Sequence, residues 1–538
     1  MARIIVVLLF AIPLFITGQA GKHGLGKPDD VIHVSNMRAN IEFLSSDALE
    51  GRLSLNRGAD VAARFIAAEF RKAGLKPANA DSFLQPFPLV GYRTDNSQAQ
   101  LDLYRNGATE VFHYGSDFRG GFPSDVTVKA PVVFAGYGIT APEYGYDDYN
   151  GIDVAGKIVL IFDHEPQEND PRSVFNGTGH TRYGYASAKY ANAQRHGAVA
   201  VLLVSEPLRK HRGRFDPPLL TADRQRPRGT APAQAFADRT KIPALSISDA
   251  LAAKLLASTG RTPAQLQEAI DKNLKPISMP LPDSTIEMRI VDAERKPGNS
   301  ANVVGLIEGS DPILKKETVL ITAHYDHLGV QNGRLYPGAN DNASGTAGVI
   351  ELARVFANTP LKPKRTLLFI VFGSEEEGLL GSFYYTDHPL RPLETTRAVL
   401  NLDMIARDEA QIPESEGVVE IPADTSNEIN LVGSFYSPNL RSLILRENER
   451  VGLKITTKFD HDNALNVLFR CDHFPFLLRN VPAVWFFGGF HPGYHEPSDT
   501  VEKLNFTKLE KVVKLAQATA RLIANMEKPP EFVPTPKP

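Results

Sequence analysis

Thr366-Leu-Leu-Phe-Ile-Val-Phe372 runs through Gly373-Ser374 into Glu375-Glu376-Glu377, and Gly378-Leu-Leu-Gly-Ser382 then turns the chain sharply. The apolar run reads as a strand. The same grammar recurs three times downstream of Ser300: residues 318–323 lead into His324-Tyr-Asp326-His327, residues 398–402 into Asp403, and residues 483–487 into Gly-Gly-Phe-His491 and on to His495. Between them, residues 343–358 place Val349, Leu352, Ala353 and Phe356 at i, i+3, i+4 and i+7, the spacing of one buried helical face. Strand and helix in alternation give an α/β fold with a mainly parallel central sheet flanked by helices. In such sheets ligands collect at the carboxyl ends of the strands, so residues far apart in sequence can meet there.

Outward from this core, residues 59–73 read as a helix, with Val61, Phe65, Ile66 and Phe70 apolar and Gly74 as its C-cap. A last helix covers 509–526 with Val512, Leu515, Ala516 and Ile523 inward. Between 121 and 280 short β-rich runs (132–134, 158–162, 199–204) separated by Gly, Pro and polar loops mark an inserted domain. Residues 30–120 and 281–526 then form the two parts of the main domain. Residues 209–232, rich in Pro, Arg and Gly, read as a solvated surface loop, and the Pro-rich 527–538 as a disordered tail.

The first residues carry one positive charge, an apolar stretch and small residues near Ala20, the pattern of a cleaved export signal over 1–20, an uncleaved anchor being the alternative. With 59 Lys plus Arg against 62 Asp plus Glu, the net charge of -3 gives no general pull toward nucleic acid or anionic lipid. No stable membrane association is expected once the signal is gone. Cys471 is the single cysteine, so no intramolecular disulfide can form and packing and metals must supply the stability.

Carboxylate plus imidazole is the ligand mixture of catalytic zinc. Taken one at a time the elements have plainer readings: His324 as a polar strand end, Gly338-Ala-Asn-Asp341-Asn-Ala-Ser344-Gly345 as a turn and helix cap, the glutamate run as acids at a helix start. Three successive glutamates also leave the register of base and ligand open by one residue.

Together, Ala-His324-Tyr-Asp326-His327-Leu-Gly, Gly-Ala-Asn-Asp341-Asn-Ala-Ser-Gly, Ser-Glu375-Glu376-Glu-Gly-Leu-Leu-Gly-Ser, Leu-Asp403-Met and Tyr494-His495-Glu-Pro-Ser-Asp499-Thr resemble the co-catalytic zinc exopeptidases. That family spans bacterial leucyl aminopeptidases, glutamate carboxypeptidase II and the non-enzymatic transferrin receptor. Residues 41–52, ending in Glu50-Gly-Arg52, are similar to its N-terminal segment, and Phe134-Ala-Gly-Tyr-Gly138 with Gly156-Lys-Ile-Val-Leu160 resembles a protease-associated domain.

The resemblance implies a three-layer sandwich of the phosphorylase/hydrolase type with that domain inserted. It implies two Zn2+ ions, one held by His324 and Asp403, the other by Glu376 and His495, with Asp341 bridging. Glu375 becomes the general base, Asp326 an acid that orients His324, Tyr494 a donor to the tetrahedral oxyanion, and Asp499 a helper near His495. Arg470-Cys471-Asp472-His473 matches a cleft loop in which serine is more usual than Cys471, which puts that residue's hydrogen bond in doubt. His327, His461 and His491 fall outside the ligand set.

The expected function is metallo-aminopeptidase action on peptides. A carboxypeptidase or dipeptidase stays open, since neither acceptors for an α-ammonium nor cations for a carboxylate can be located in the sequence. A one-zinc glutaminyl cyclase and a receptor-like protein fit less well, because the full set of ligands and the base are present.

Overall fold

The computed structural model describes residues 31–122, 125–216, 233–235 and 241–535; the expected export signal over 1–20 lies outside them. Its organising element is a ten-stranded sheet. The order is Ala233–Ala235, Leu84–Thr94, Asp292–Ile307, Thr366–Phe372, Thr318–His324, Thr396–Asp403, Ala483–Phe487, Glu428–Val432 and Lys454–Thr456, with Lys76–Pro77 paired to Asp292–Ile307.

The four central strands, Thr366–Phe372, Thr318–His324, Thr396–Asp403 and Ala483–Phe487, are parallel, as the strand–helix alternation requires. The expected parallel core of the sheet is there, and Glu428–Val432 also pairs in parallel with Lys454–Thr456. Asp292–Ile307 runs antiparallel to both its neighbours, and Glu428–Val432 runs antiparallel to Ala483–Phe487. Antiparallel neighbours need no crossover helix, so these pairings carry no strand–helix signature in sequence.

Successive side chains of the central strands point to opposite faces. Val319, Ile321, Leu367 and Phe369 join a core closed by helices Val34–Leu44, Arg57–Lys72, Gly345–Asn358 and Phe506–Asn525. Leu320, Leu368, Ile370 and Phe372 enter a second core with Phe383 of helix Leu380–Asp387 and Phe476 of helix Phe474–Leu478. The result is three layers.

An eight-stranded second sheet has the order Ala108–His113, Gln100–Arg105, Ser278–Ile290, Val126–Ala135, Ile158–Phe162, Ala200–Val204, Ala244–Ile247, Phe118–Gly121, and its own apolar core. Its strands run from Gln100 to Ile290, between main-sheet strands Leu84–Thr94 and Asp292–Ile307, so the insert begins earlier and ends later than the expected 121–280. The hairpin 100–113 belongs to it because Gln100–Arg105 pairs directly with Ser278–Ile290, Tyr104 opposite Thr285.

Two loop expectations change. Of 209–232, residues 217–232 lie outside the described residues; in the described part Arg209 pairs with Asp249 at 3.0 Å and Arg214 with Asp163 at 2.5 Å, so these arginines are docked rather than solvated. The expected disordered tail is packed as far as it is described. Phe532 stacks on Tyr436 with ring centroids 5.0 Å apart, Val533 N donates to Tyr436 O at 2.7 Å, and Ser437 Oγ donates to Glu531 O at 2.8 Å. One aromatic ring among the prolines supplies the anchor that a compositional reading overlooks.

Phe369 is fully buried, with its ring 6.5 Å from Phe70 and 6.2 Å from Phe356, and so joins the sheet to two helices. Phe369→Ala should destabilise the main domain by about 3–5 kcal/mol, read as a lower urea midpoint.

Candidate metal centre

The parallel register sets the central strands side by side, with His324 level with Phe372 and Asp403 level with Phe487, so all four release their loops at one edge. After Phe372 the chain reverses within a few residues: Gly378 N and Leu379 N donate to Glu375 O at 2.9 and 2.7 Å, and helix Leu380–Asp387 follows. The turn fits only because Gly381 has no side chain, since a Cβ there would lie 2.3 Å from Gly373 O. Asp341 arrives from a wide turn, Ala339–Ser344, ahead of helix Gly345–Asn358. A Cβ on Gly345 would sit 2.1 Å from Leu402 O, so glycine is what lets this helix press against the strand that bears Asp403.

The loops bring the five expected ligands together. His324 Nε2 lies 3.5 Å from Asp341 Oδ1 and 3.4 Å from Asp403 Oδ1, whereas His495 Nε2 lies 3.1 Å from Asp341 Oδ2 and 3.0 Å from Glu376 Oε2. Each oxygen of Asp341 therefore faces a different donor set. Glu375 Oε2 stands 3.8 Å from His324 Nε2. Glu376 groups with His327 and Asp341, and Glu375 with Asp403 and Cys471.

The polar chemistry of the cluster fits metal ions. His324 Nδ1 lies 3.2 Å from Asp326 O, and a carbonyl can only accept, so the ring proton sits on Nδ1 and Nε2 turns a lone pair inward. Buried His324 Nε2 and Asp403 Oδ1 have no hydrogen-bond partner, although such atoms almost always find one. Imidazole nitrogen and carboxylate oxygen are donors suited to zinc. Burial raises the Glu375 carboxyl well above its ordinary value, with Asp472, Glu376 and Asp403 adding to the rise against the opposing pull of His324.

The other expected residues take different duties. Asp326, expected to orient the His324 ring, has its carboxylate 3.8 Å from Nδ1. Its hydrogen bonds come from Glu375 N at 3.0 Å and Glu376 N at 3.2 Å, so it fixes the backbone of base and ligand. Asp499 does the same for Asp341, accepting from Asn340 N at 2.9 Å and Asp341 N at 3.0 Å. Tyr494 stacks on His495 with ring centroids 3.9 Å apart and lines the cavity beside the cluster. Cys471 keeps the hydrogen bond that its departure from serine put in doubt. Its Sγ–H donates to Asp403 Oδ2 at 3.0 Å, and burial holds the thiol protonated.

Three residues have roles that the sequence did not announce. His327 Nδ1 sits 2.7 Å from Glu376 Oε1, close to the ligand set although not assigned to it. Asp472 is buried with its carboxyl pushed up to about 7, chiefly by burial. Arg52 is wholly buried and donates to Tyr325 O at 2.7 Å, Pro337 O at 2.7 Å, Gly338 O at 2.9 Å and Leu44 O, tying the His324 loop to the Asp341 loop. Burial lowers it only to about 10, so the guanidinium remains charged. Its place in the Glu50-Gly-Arg52 motif was visible, but nothing in one sequence marks an arginine as buried.

The cavity over the cluster encloses about 190 Å³. Its walls include Trp485, Phe490 and Met404 of the main domain together with Tyr185 of the insert.

Residues 302–520 match the model of Peptidase family M28, and residues 128–255 that of the PA domain. Aminopeptidase YwaD of Bacillus subtilis is 29% identical over 242 residues, covering 44% of this chain and 47% of the relative; the match thus spans about half the length of that relative. The Probable lipoprotein aminopeptidase LpqL of Mycobacterium tuberculosis is 26% identical, over 77% of this chain and 70% of its own. Among solved structures, the aminopeptidase from Aneurinibacillus sp. strain AM-1 superposes with a TM-score of 0.51 at 24% identity, covering 94% of this chain and 96% of that one, a likeness of fold. The zinc-type ligand cluster at the strand ends thus falls within the stretch that matches Peptidase family M28, and the stretch that matches the PA domain falls within the second sheet, set between two main-sheet strands.

Proposed function

We propose that this chain is a zinc-dependent aminopeptidase that removes N-terminal residues from peptides. The observation that carries the reading is the division of Asp341, whose two oxygens face separate donor sets, with Glu375 left beside them and committed to neither. His324 and Asp403 would hold one zinc, Glu376 and His495 the other, and Asp341 both. Bound there, zinc would acidify a water and polarise a peptide carbonyl.

Glu375 takes the proton from the attacking water and passes it to the departing amine. Its burial suits the task, because a carboxyl raised above its ordinary range holds a proton more firmly than an exposed one while it is carried from water to amine. Asp326 keeps Glu375 and Glu376 in place through their backbone amides, so the base is aligned before substrate arrives. The Tyr494 hydroxyl serves the developing oxyanion.

The chamber accounts for the exopeptidase character. At about 190 Å³ it is smaller than the roughly 300–1,000 Å³ of sites for drug-sized ligands, so it takes a terminal residue rather than a folded chain. Apolar walls favour apolar terminal side chains, and the acids of the cluster supply acceptors for an α-ammonium. The relatives named as aminopeptidases support the same direction. Export through the segment over 1–20 is part of this reading. Among the described residues no helix is long and apolar enough to cross a membrane.

Purified protein should hydrolyse aminoacyl-anilides with apolar residues and spare N-blocked peptides. Cleavage confined to blocked peptides would overturn the aminopeptidase reading and make Arg470, at the cavity rim, the receiver of a substrate carboxylate. Dialysis against a chelator should abolish turnover, and added zinc should restore it. Glu375→Gln should retain its zinc, measured by elemental analysis, while kcat falls by about 10²–10⁴; metal loss in that variant would mean that Glu375 is itself a ligand.

A further inference from the structure

The PA domain contains a second cluster of metal-type donors, separate from the first. His164 and Glu168 follow strand Ile158–Phe162; Glu206 and His211 follow its parallel neighbour Ala200–Val204. All four side chains are buried: Glu206 is 0% exposed, Glu168 2%, His164 6% and His211 6%.

We propose that His164, Glu168, Glu206 and His211 form a structural binding site for a divalent first-row transition-metal ion, with zinc as the best-suited occupant.

The geometry is that of co-ligands. His164 Nδ1 lies 2.9 Å from Glu168 Oε2 and 3.5 Å from Glu206 Oε1; His211 Nε2 lies 3.0 Å from Glu168 Oε1 and also touches Glu206 Oε1. Ligands about 2.0–2.1 Å from a tetrahedral zinc stand roughly 3.3 Å from one another, so these spacings need only small adjustment. His211 Nδ1 lies 3.0 Å from Arg212 O, a bond that places a proton on Nδ1, so the neutral ring would offer its Nε2 lone pair on the side of the carboxylates. A backbone carbonyl on the far nitrogen is the usual support of a ligating histidine.

Despite the short distances, His211 Nε2, Glu168 Oε1 and both Glu206 oxygens make no hydrogen bond of acceptable direction. Contacts that are close yet off the ring's axis arise when the atoms aim at a common point between them. Charge points the same way. Glu168 and Glu206 bring two negative charges, and buried Lys189 donates instead to the carbonyl oxygens of Phe162 and His164. Paired imidazoles select against calcium and magnesium, which prefer all-oxygen shells.

The position suggests what such an ion does. The His164 ring is 4.6 Å from His180, whose own ring is 4.7 Å from Phe469 in the cavity wall, and His180 Nε2 is 2.6 Å from Asn466 Oδ1. Asn463 Nδ2 donates to Glu168 O at 2.7 Å. An ion here braces the insert against residues 463–469 of the main domain.

Zinc-loaded crystals measured at the zinc absorption edge should show an anomalous peak among these four side chains, and Glu206→Gln or His211→Gln should bind one zinc per chain fewer than wild type, with folding verified by circular dichroism. The difference between variant and wild type is independent of how many ions the catalytic cluster holds. A chain carrying Glu376→Gln and His495→Gln should still show the peak in the insert. Absence of that peak, or unchanged zinc content in folded Glu206→Gln, overturns the site and leaves an ion-pair cluster of imidazolium and carboxylates; if the insert variants fail to fold, the wild-type diffraction experiment decides alone.

Discussion

Mutual repulsion among buried carboxylates is the constraint around which the main domain is arranged. Asp326, Asp341, Glu375, Asp403, Asp472 and Asp499 are all buried near one edge of one sheet, with Glu376 close by. Removing such groups from water costs several kcal/mol each unless they are paired or hydrogen-bonded. The fold meets that cost in layers. Asp326 and Asp499 each receive two backbone amides, Arg52 places a fixed positive charge behind the ligand loops, and histidines face the innermost acids. Zinc held between Asp341 and its neighbours, as proposed, would complete the neutralisation and tie metal binding to the stability of this edge.

The central strands and the ligand-bearing residues were legible because each strand is an unbroken apolar run ending in a chemically conspicuous residue. Helix Gly345–Asn358 was equally plain, its apolar positions falling at helical spacing. What escaped was long-range: the antiparallel flanks, the hairpin 100–113 that joins the insert, and the docking of the tail through Phe532. None of these leaves a periodic trace, since each depends on a partner distant in sequence. Within the site, residue types announced the five side chains that the structure clusters, but not which hydrogen bonds the neighbouring acids make. Asp326 faces the His324 ring and also holds the backbone of Glu375 and Glu376, and no motif encodes those backbone bonds.

The two domains solve a similar problem with the same device. In each, parallel strands release polar residues at their carboxyl ends, and neighbouring loops close a pocket of acids and histidines. In the main domain the pocket borders an open chamber. In the insert it is sealed, which suits holding structure rather than performing chemistry.

The packed C-terminal segment bears on how the insert is held to the main domain. Tyr144 of the insert donates its hydroxyl to Pro534 O at 3.2 Å, and the Arg182 guanidinium lies 5.5 Å from the Phe532 ring, while Phe532 itself rests on Tyr436 of the main domain. Two covalent crossings, near residues 95–100 and 290, would leave the insert free to pivot like a flap. The strap joins the contacts of Asn463 and Asn466 in holding the insert to the main domain, so a fusion partner attached beyond Phe532 would pull on that seam from outside.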